Sequence, residues 1–353
     1  MRTALLWTAA SLLLFVLVEA AIFRSGVYYP YLEPQSSAGT VYSYMYWLKH
    51  QPHTATPEVL VLGDSRMAEG FSAVIADEAA GQRLHFWNFG MPGTTPRIWY
   101  YMLRNGDPTR RRFAKIVIPI DDYTDTDIGT NPADRVQDLS FAITQLRWTD
   151  CIGFANSFPT WAHRTQMLSG CLFQGVTLRP DLQALLLDAH ERVRAARDWL
   201  KNGIAYLNGY ASHAESLAGL TADLENRTVT FPAGVPQAAQ DNVRDRLLPD
   251  PVPQTGSMTR YREEWLTGIL DLYKGSPTQI VLFELARTPL PRPESTAPKT
   301  WLDSIRARSD VTVLPQHTFR DLERPEFFFD GLHFNRDGRK VFTERLVQLL
   351  GAQ

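Results

Sequence analysis

The amino-acid sequence predicts an α/β protein. A parallel sheet is broken by a large, mainly helical insertion and preceded by one apolar N-terminal helix. Three observations lead there. From Val59 to Ile120 strand and helix patterns alternate as β-α-β-α-β, the order that builds parallel sheets through right-handed crossovers. Between Tyr123 and about Tyr261 no convincing parallel strand appears, and the alternation then resumes. Ahead of all this, Ala4–Phe23 is a mostly apolar run whose only charge is Glu19.

Taken in order, residues 1–25 have the length, about 20 apolar residues, that matches a bilayer core. Two readings fit. Arg2, Leu5–Val18 and Val18-Glu19-Ala20 can serve as the three regions of a signal peptide. Alternatively the run is an uncleaved single-pass anchor, with Glu19 near the interface, where a charge costs less than at mid-bilayer. The anchor is the favoured reading. Both put the rest of the chain outside the cytoplasm, at the membrane surface or secreted into a periplasm.

Residues 26–56 are rich in Tyr, Pro and Ser and read as a tether with a short helix over Val41–His50. Val59–Leu62 is the first strand, four apolar β-formers in a row, as in a strand buried on both faces. Met67–Ala80 follows as a helix ending at Gly81, then strand Leu84–Trp87, helix Pro96–Arg104 and strand Lys115–Ile120. Residues 123–261 form the insertion. Within it Asp181–Lys201 has helical periodicity, with Leu182, Leu185, Leu186, Ala189, Val193, Ala196 and Leu200 on one stripe. The sheet domain, 57–122 and 262–353, resumes after helix Arg260–Tyr273 with strand Gln279–Glu284, helix Pro298–Arg308 and strand Val311–Leu314. It closes with a helix capped by Asn335 and running to Leu350.

Composition limits the function classes. Thirty-six basic residues against 38 acidic ones give a formal net charge of −2, so no global field favours nucleic acid. The two cysteines, Cys151 and Cys171, are a candidate disulfide in an exported protein, or two small buried apolar residues. No metal and no organic cofactor is implied.

The chemistry concentrates at strand ends. Ser65, in Gly63-Asp64-Ser65-Arg66, stands at the carboxyl end of the first strand, the edge at which open α/β sheets bind ligands. It is either a helix cap or a nucleophile, and a nucleophile needs a base and a group to orient that base. Asp330 and His333, three apart in Phe329-Asp330-Gly331-Leu332-His333, are the candidate orienter and base. Gly93 is the candidate backbone oxyanion donor, alongside the N–H of Ser65, with Gly90 as the alternative. The other histidines lack this pairing at a strand end.

These residues together resemble the SGNH/GDSL hydrolase family: Gly63-Asp64-Ser65 after the first strand, Asn88 to Gly93-Thr94 after the second, and Asp330-x-x-His333 before the last helix. The resemblance implies a flavodoxin-like three-layer fold with strand order 2-1-3-4-5, and the roles of nucleophile, orienter and base for Ser65, Asp330 and His333. It fails at one position. The family usually carries an asparagine after the third strand as an oxyanion donor, where this chain has Pro119-Ile120-Asp121-Asp122. An ionised carboxylate cannot donate. Asp122, with Arg66, becomes a candidate for holding a sugar hydroxyl, or Asp122 pairs with Arg66 or Arg97.

With an anchor and an insertion, the layout is similar to the membrane-anchored subgroup near polysaccharide O-acetyltransferases, such as alginate O-acetyltransferase components. The expected function is acyl-ester chemistry on a cell-envelope carbohydrate, as transferase or esterase. A membrane-bound acyl-donating protein is an expected partner, and Trp148, Trp161 and Trp199 are candidates for stacking on sugar rings. The alternative is a non-catalytic scaffold that binds glycan or that membrane partner.

Overall fold

A computed structural model describes residues 2–120, 132–249, 256–291 and 300–351. Asp121 and Asp122 lie outside them. The chain divides into two compact units, residues 1–51 with 133–206, and 52–132 with 207–353.

The second unit contains the sheet. Its strands are β1 (Glu58–Gly63), β2 (His85–Gly90), β3 (Phe113–Ile120), β4 (Thr221–Asp223), β5 (Thr228–Thr230), β6 (Gln279–Glu284) and β7 (Val311–Val313). Five of them form one parallel sheet in the order β2-β1-β3-β6-β7. By chain numbering this differs from 2-1-3-4-5: β4 and β5 pair only with each other, as an antiparallel hairpin inside the expected insertion. β1 is buried along its whole length, so both faces of the sheet are covered there, which is why it reads as an unbroken apolar run. Val59, Val61, Val117, Val281 and Phe283 share a core with Phe71, Phe86, Phe342 and Leu346.

Two expectations change in this unit. The helix expected over Met67–Ala80 is two helices, Ser65–Gly70 and Ala73–Ala79. Phe71 is extended between them, and Ser72 caps the second by accepting from the Ile75 N–H. The Phe71 carbonyl is taken by the Asn88 amide (2.8 Å) and Arg339 Nε (3.2 Å), so tertiary hydrogen bonds replace the helical ones. The insertion is also divided. Leu217, Leu220, Val243 and Leu247 are buried in the sheet unit's core, so residues from 207 onward belong with the sheet. The final helix, Arg336–Gly351, is capped by Asn335, whose Oδ1 accepts from the Asp337 and Gly338 N–H groups.

The first unit is helical. Residues 26–51 are no loose tether: Tyr28, Leu32, Val41 and Trp47 are buried, and the Trp47 indole donates to the Leu200 carbonyl at 3.0 Å. The helix expected over Asp181–Lys201 breaks at Asp188 into Arg179–Leu187 and Ala189–Asn208. Of its expected stripe only Ala196 is buried. Cys151 and Cys171 form a disulfide joining helices Cys151–Asn156 and Trp161–Leu172. Closing a loop with a separation of 20 residues stabilises by about 3 kcal/mol in the chain-entropy account. The helix over Thr3–Arg24, with mean hydropathy 2.2, is long and apolar enough to cross a membrane or to be a signal sequence.

Candidate active site

The strand–turn–helix at Gly63 to Gly70 has little room. A Cβ on Gly63 would fall 2.4 Å from Met67 Cβ. The residue is glycine because the next turn of helix lies against it. Asp64 caps that helix, accepting from the Arg66 N–H at 2.9 Å, and its carboxylate pairs with the Arg66 guanidinium at 2.9 Å. Burial disfavours the Asp64 charge, but Arg66 overrides it and holds the carboxyl below the usual carboxylate range. Arg66, a candidate substrate contact, is only 5% exposed and engaged with Asp64. The cap role considered for Ser65 therefore belongs to Asp64, which leaves the Ser65 hydroxyl at the first helical residue.

The turn after β2 packs against the same strand end. Gly90 gives the Ser65 helix its seat: a Cβ there would stand 2.3 Å from the Ala68 nitrogen and 2.6 Å from the Met67 carbonyl carbon. Backbone cannot swing aside as a side chain does. Gly90→Ala is expected to lose about 1–3 kcal/mol by overpacking, read as a lower urea midpoint with unchanged m-value. The Met91 N–H (2.9 Å) and Thr94 hydroxyl (3.0 Å) both reach the Gly63 carbonyl, and the Trp99 indole donates to that hydroxyl at 2.9 Å. Gly93 sits inside this Met91–Thr94 turn with φ +79°, a left-handed conformation that favours glycine. The turn is thus tied to the residue two before Ser65. Asn88 is structural: it donates to the Phe71 carbonyl and accepts from the Gly90 N–H.

At the far end of the chain, a bridge between Phe328 and Phe334 closes a short loop. Within it Asp330 Oδ1 accepts from the Leu332 (2.8 Å) and His333 (2.7 Å) N–H groups. This Asx turn is the physical content of the three-residue spacing: it folds the chain until Asp330 Oδ2 meets His333 Nδ1, at 2.9 Å. His333 Nε2 in turn lies 2.9 Å from Ser65 Oγ. Burial works against the Asp330 charge, but hydrogen bonds from the His333 ring and the two N–H groups outweigh it and keep the carboxyl below its ordinary range. Ser65, His333 and Asp330 therefore form one continuous hydrogen-bonded chain.

What supports that loop was not foreseen. Gly331 donates to Asn242 Oδ1 at 3.0 Å, and a Cβ on it would meet the Asn242 carbonyl and Val243 Cα at 2.8 Å. Helix Gln237–Leu247 therefore buttresses Asp330-Gly331. The Phe329 ring stacks on His333 (5.7 Å between centroids) and His213 stacks on Phe329 (3.8 Å). A sequence signal for Asn242 existed only in Gly331, a glycine that no catalytic role explains. Asn242→Ala is expected to cost about 1 kcal/mol of loop order, read as a roughly fivefold lower kcat at unchanged KM.

On the Ser65 helix, Glu69 accepts from the Tyr210 hydroxyl at 2.8 Å. Burial first, then that carboxylate, pushes the Tyr210 phenol up to about 12. Of the three candidate stacking tryptophans, Trp148 carries the Arg24 guanidinium on its ring at 4.1 Å, Trp199 packs on Trp47 and Tyr206, and Trp161 is exposed. All three belong to the first unit, whereas Ser65, Asp330 and His333 belong to the second. A second Asp–His contact, Asp77 with His85 at 2.9 Å, lies at the start of β2, the opposite end from Ser65. Among the described residues no group of three or more His, Cys, Asp or Glu side chains is arranged to hold a metal ion. No protein-family model and no curated protein matches the chain.

Proposed function

We propose that the protein is an SGNH-type serine esterase or O-acyltransferase with a flavodoxin-like fold, acting on acyl esters of an extracytoplasmic carbohydrate. The observation that carries this reading is the chain of 2.9 Å contacts from Ser65 to His333 to Asp330. In the proposed reaction His333 Nε2 takes the proton as Ser65 Oγ attacks an ester carbonyl. The N–H groups of Ser65 and Gly93 receive the oxyanion. The leaving alcohol departs with the proton from His333, and water or a sugar hydroxyl resolves the acyl-Ser65 intermediate by the reverse proton path. Binding alone does not require these three side chains in one hydrogen-bonded line, which favours catalysis over a scaffold role.

The setting follows from two further features. The apolar helix over Thr3–Arg24 is read as a retained single-pass anchor. The Cys151–Cys171 bond suits an oxidising compartment, so the domain is assigned to the extracytoplasmic side. A carbohydrate acceptor and a membrane-bound acyl donor remain part of the proposal through the family resemblance.

The test is an activity-based fluorophosphonate probe on the full-length protein in detergent. Labelling is expected on Ser65, absent in Ser65→Ala and strongly reduced in His333→Ala. Folded wild-type protein that takes no label would refute the hydrolase reading. Turnover of a nitrophenyl acetate with and without oligosaccharide separates the two chemistries: acetylated sugar and a faster rate identify a transferase, an acceptor-independent rate an esterase.

A further inference from the structure

We propose that the first unit does not merely hang from its anchor but dips into the outer leaflet, with Phe173 well inside the hydrocarbon, Val176 nearer its edge and Trp148 with Arg24 at the headgroup level. The inference rests on reading the N-terminal helix as a retained anchor and adds to it a lipid-facing surface on the folded domain.

The depth comes from the helix itself. Twenty-two residues from Thr3 to Arg24 span about 33 Å at 1.5 Å per residue, just the thickness of a hydrocarbon core of about 30 Å. Arg24 then marks the polar boundary, and Glu19, five residues earlier, lies about 7 Å inside it. An unpartnered carboxylate at that depth is costly. Glu19 is not unpartnered: it is 5% exposed and accepts from the Gly175 N–H at 2.9 Å. Gly175 lies so close that a Cβ on it would sit 2.6 Å from Glu19 Oε2 and 2.8 Å from the Phe23 ring.

The domain also reaches deeper. Phe173 packs on Phe15 with 5.7 Å between centroids, and Phe15 is four residues, about 6 Å, further into the membrane than Glu19. Segment 173–176 must therefore share the depth of the helix residues it touches. Its outward side chain is apolar: Val176 is 62% exposed. One level higher, Arg24 donates to the Leu146 and Cys171 carbonyls and lies over the Trp148 ring, and Trp148 is 43% exposed. An aromatic ring beside a cation at the polar boundary is the arrangement of membrane interfaces. The apolar patch is continuous with the lipid-facing side of the helix, and its occupant is lipid.

The experiment places an environment-sensitive fluorophore on a cysteine introduced by Val176→Cys, with the Cys151–Cys171 bond left oxidised, in full-length protein reconstituted into lipid nanodiscs. Leu12→Cys, at a site 61% exposed in mid-helix, serves as reference. Nanodiscs carry lipids with a nitroxide quencher either shallow or deep in the acyl chain. Label at 176 is expected to be quenched by the shallow nitroxide and label at 12 by the deep one. If position 12 is quenched while 176 is reached by neither lipid, the anchor stands and the embedded surface is overturned. If position 12 escapes both, the anchor reading itself fails. Because the discs contain lipid alone, burial of 176 that appears only with an added membrane protein also overturns the proposal.

Discussion

Ser65→Ala is expected to lower kcat for ester cleavage about 10⁶-fold, and adding His333→Ala is expected to lower it hardly further. Both follow from one geometry. The Ser65 hydroxyl is a weak nucleophile unless its proton leaves as the carbonyl is attacked, and the group placed to take it is His333 Nε2, 2.9 Å away. Removing either partner removes the same step, so the losses do not add. The residual rate, roughly 10³- to 10⁴-fold above that in water, belongs to substrate binding and the oxyanion donors. Stopped-flow and steady-state turnover of an activated acetate on both single variants and the double variant measure this. Additive losses would mean that Ser65 and His333 act in separate steps.

That site was readable from sequence because each part is local. Four apolar residues running into Gly-Asp-Ser define a buried strand and a sharp turn. The spacing of Asp330 and His333 fits an Asx turn, a device needing only four residues. Asn335 announced the last helix as a cap. What escaped depends on contacts between distant segments. The break at Phe71 is stabilised by Asn88 and Arg339, residues 17 and 268 positions away, although Gly70 and Ser72 were there as stop and start signals. The break at Asp188 lies beside distant contacts: Asp181 accepts from Tyr28 and Arg192 at once, tying the first helix to the start of the second. The hairpin β4–β5 has two three-residue strands of mostly exposed side chains, too short for any periodicity to register. Residues 207–249 were grouped with the insertion because nothing in their pattern says which core Leu217 and Val243 enter.

The same division between local and distant explains the position where the resemblance fails. Directly after β3 the sequence has Asp121-Asp122 where the family carries its asparagine donor, and both lie outside the described residues. In the proposed reaction the oxyanion donors are the backbone N–H groups of Ser65 and Gly93, and the Gly63 carbonyl's two contacts hold the Met91–Thr94 turn that carries Gly93. A hole built on backbone depends on glycines at 90 and 93 rather than on a replaceable side chain.

Asp330→Asn is expected to reduce kcat about 10⁴-fold while leaving the loop folded. The amide oxygen can still accept from the Leu332 and His333 N–H groups, as Oδ1 does now. The amide nitrogen, however, would replace the oxygen that faces His333 Nδ1 at 2.9 Å. An NH₂ group donates, so the imidazole must present a lone pair at Nδ1 and carry its proton on Nε2. Nε2 then faces Ser65 as a donor and cannot take the hydroxyl proton. The shape of the site survives while its proton path is reversed. The acid dependence of stability separates this from unfolding. Asp330 is held below its ordinary range in the folded protein, so its contribution is present above the unfolded carboxylate value of about 3.9 and is lost as pH falls through the lower folded value. The stability difference between wild type and Asp330→Asn should therefore shrink as pH falls below about 4. Urea unfolding across that range, beside turnover and His333 imidazole nitrogen shifts by NMR, tests both halves. A variant retaining turnover with its Nε2 protonated would remove Asp330 from the orienting role.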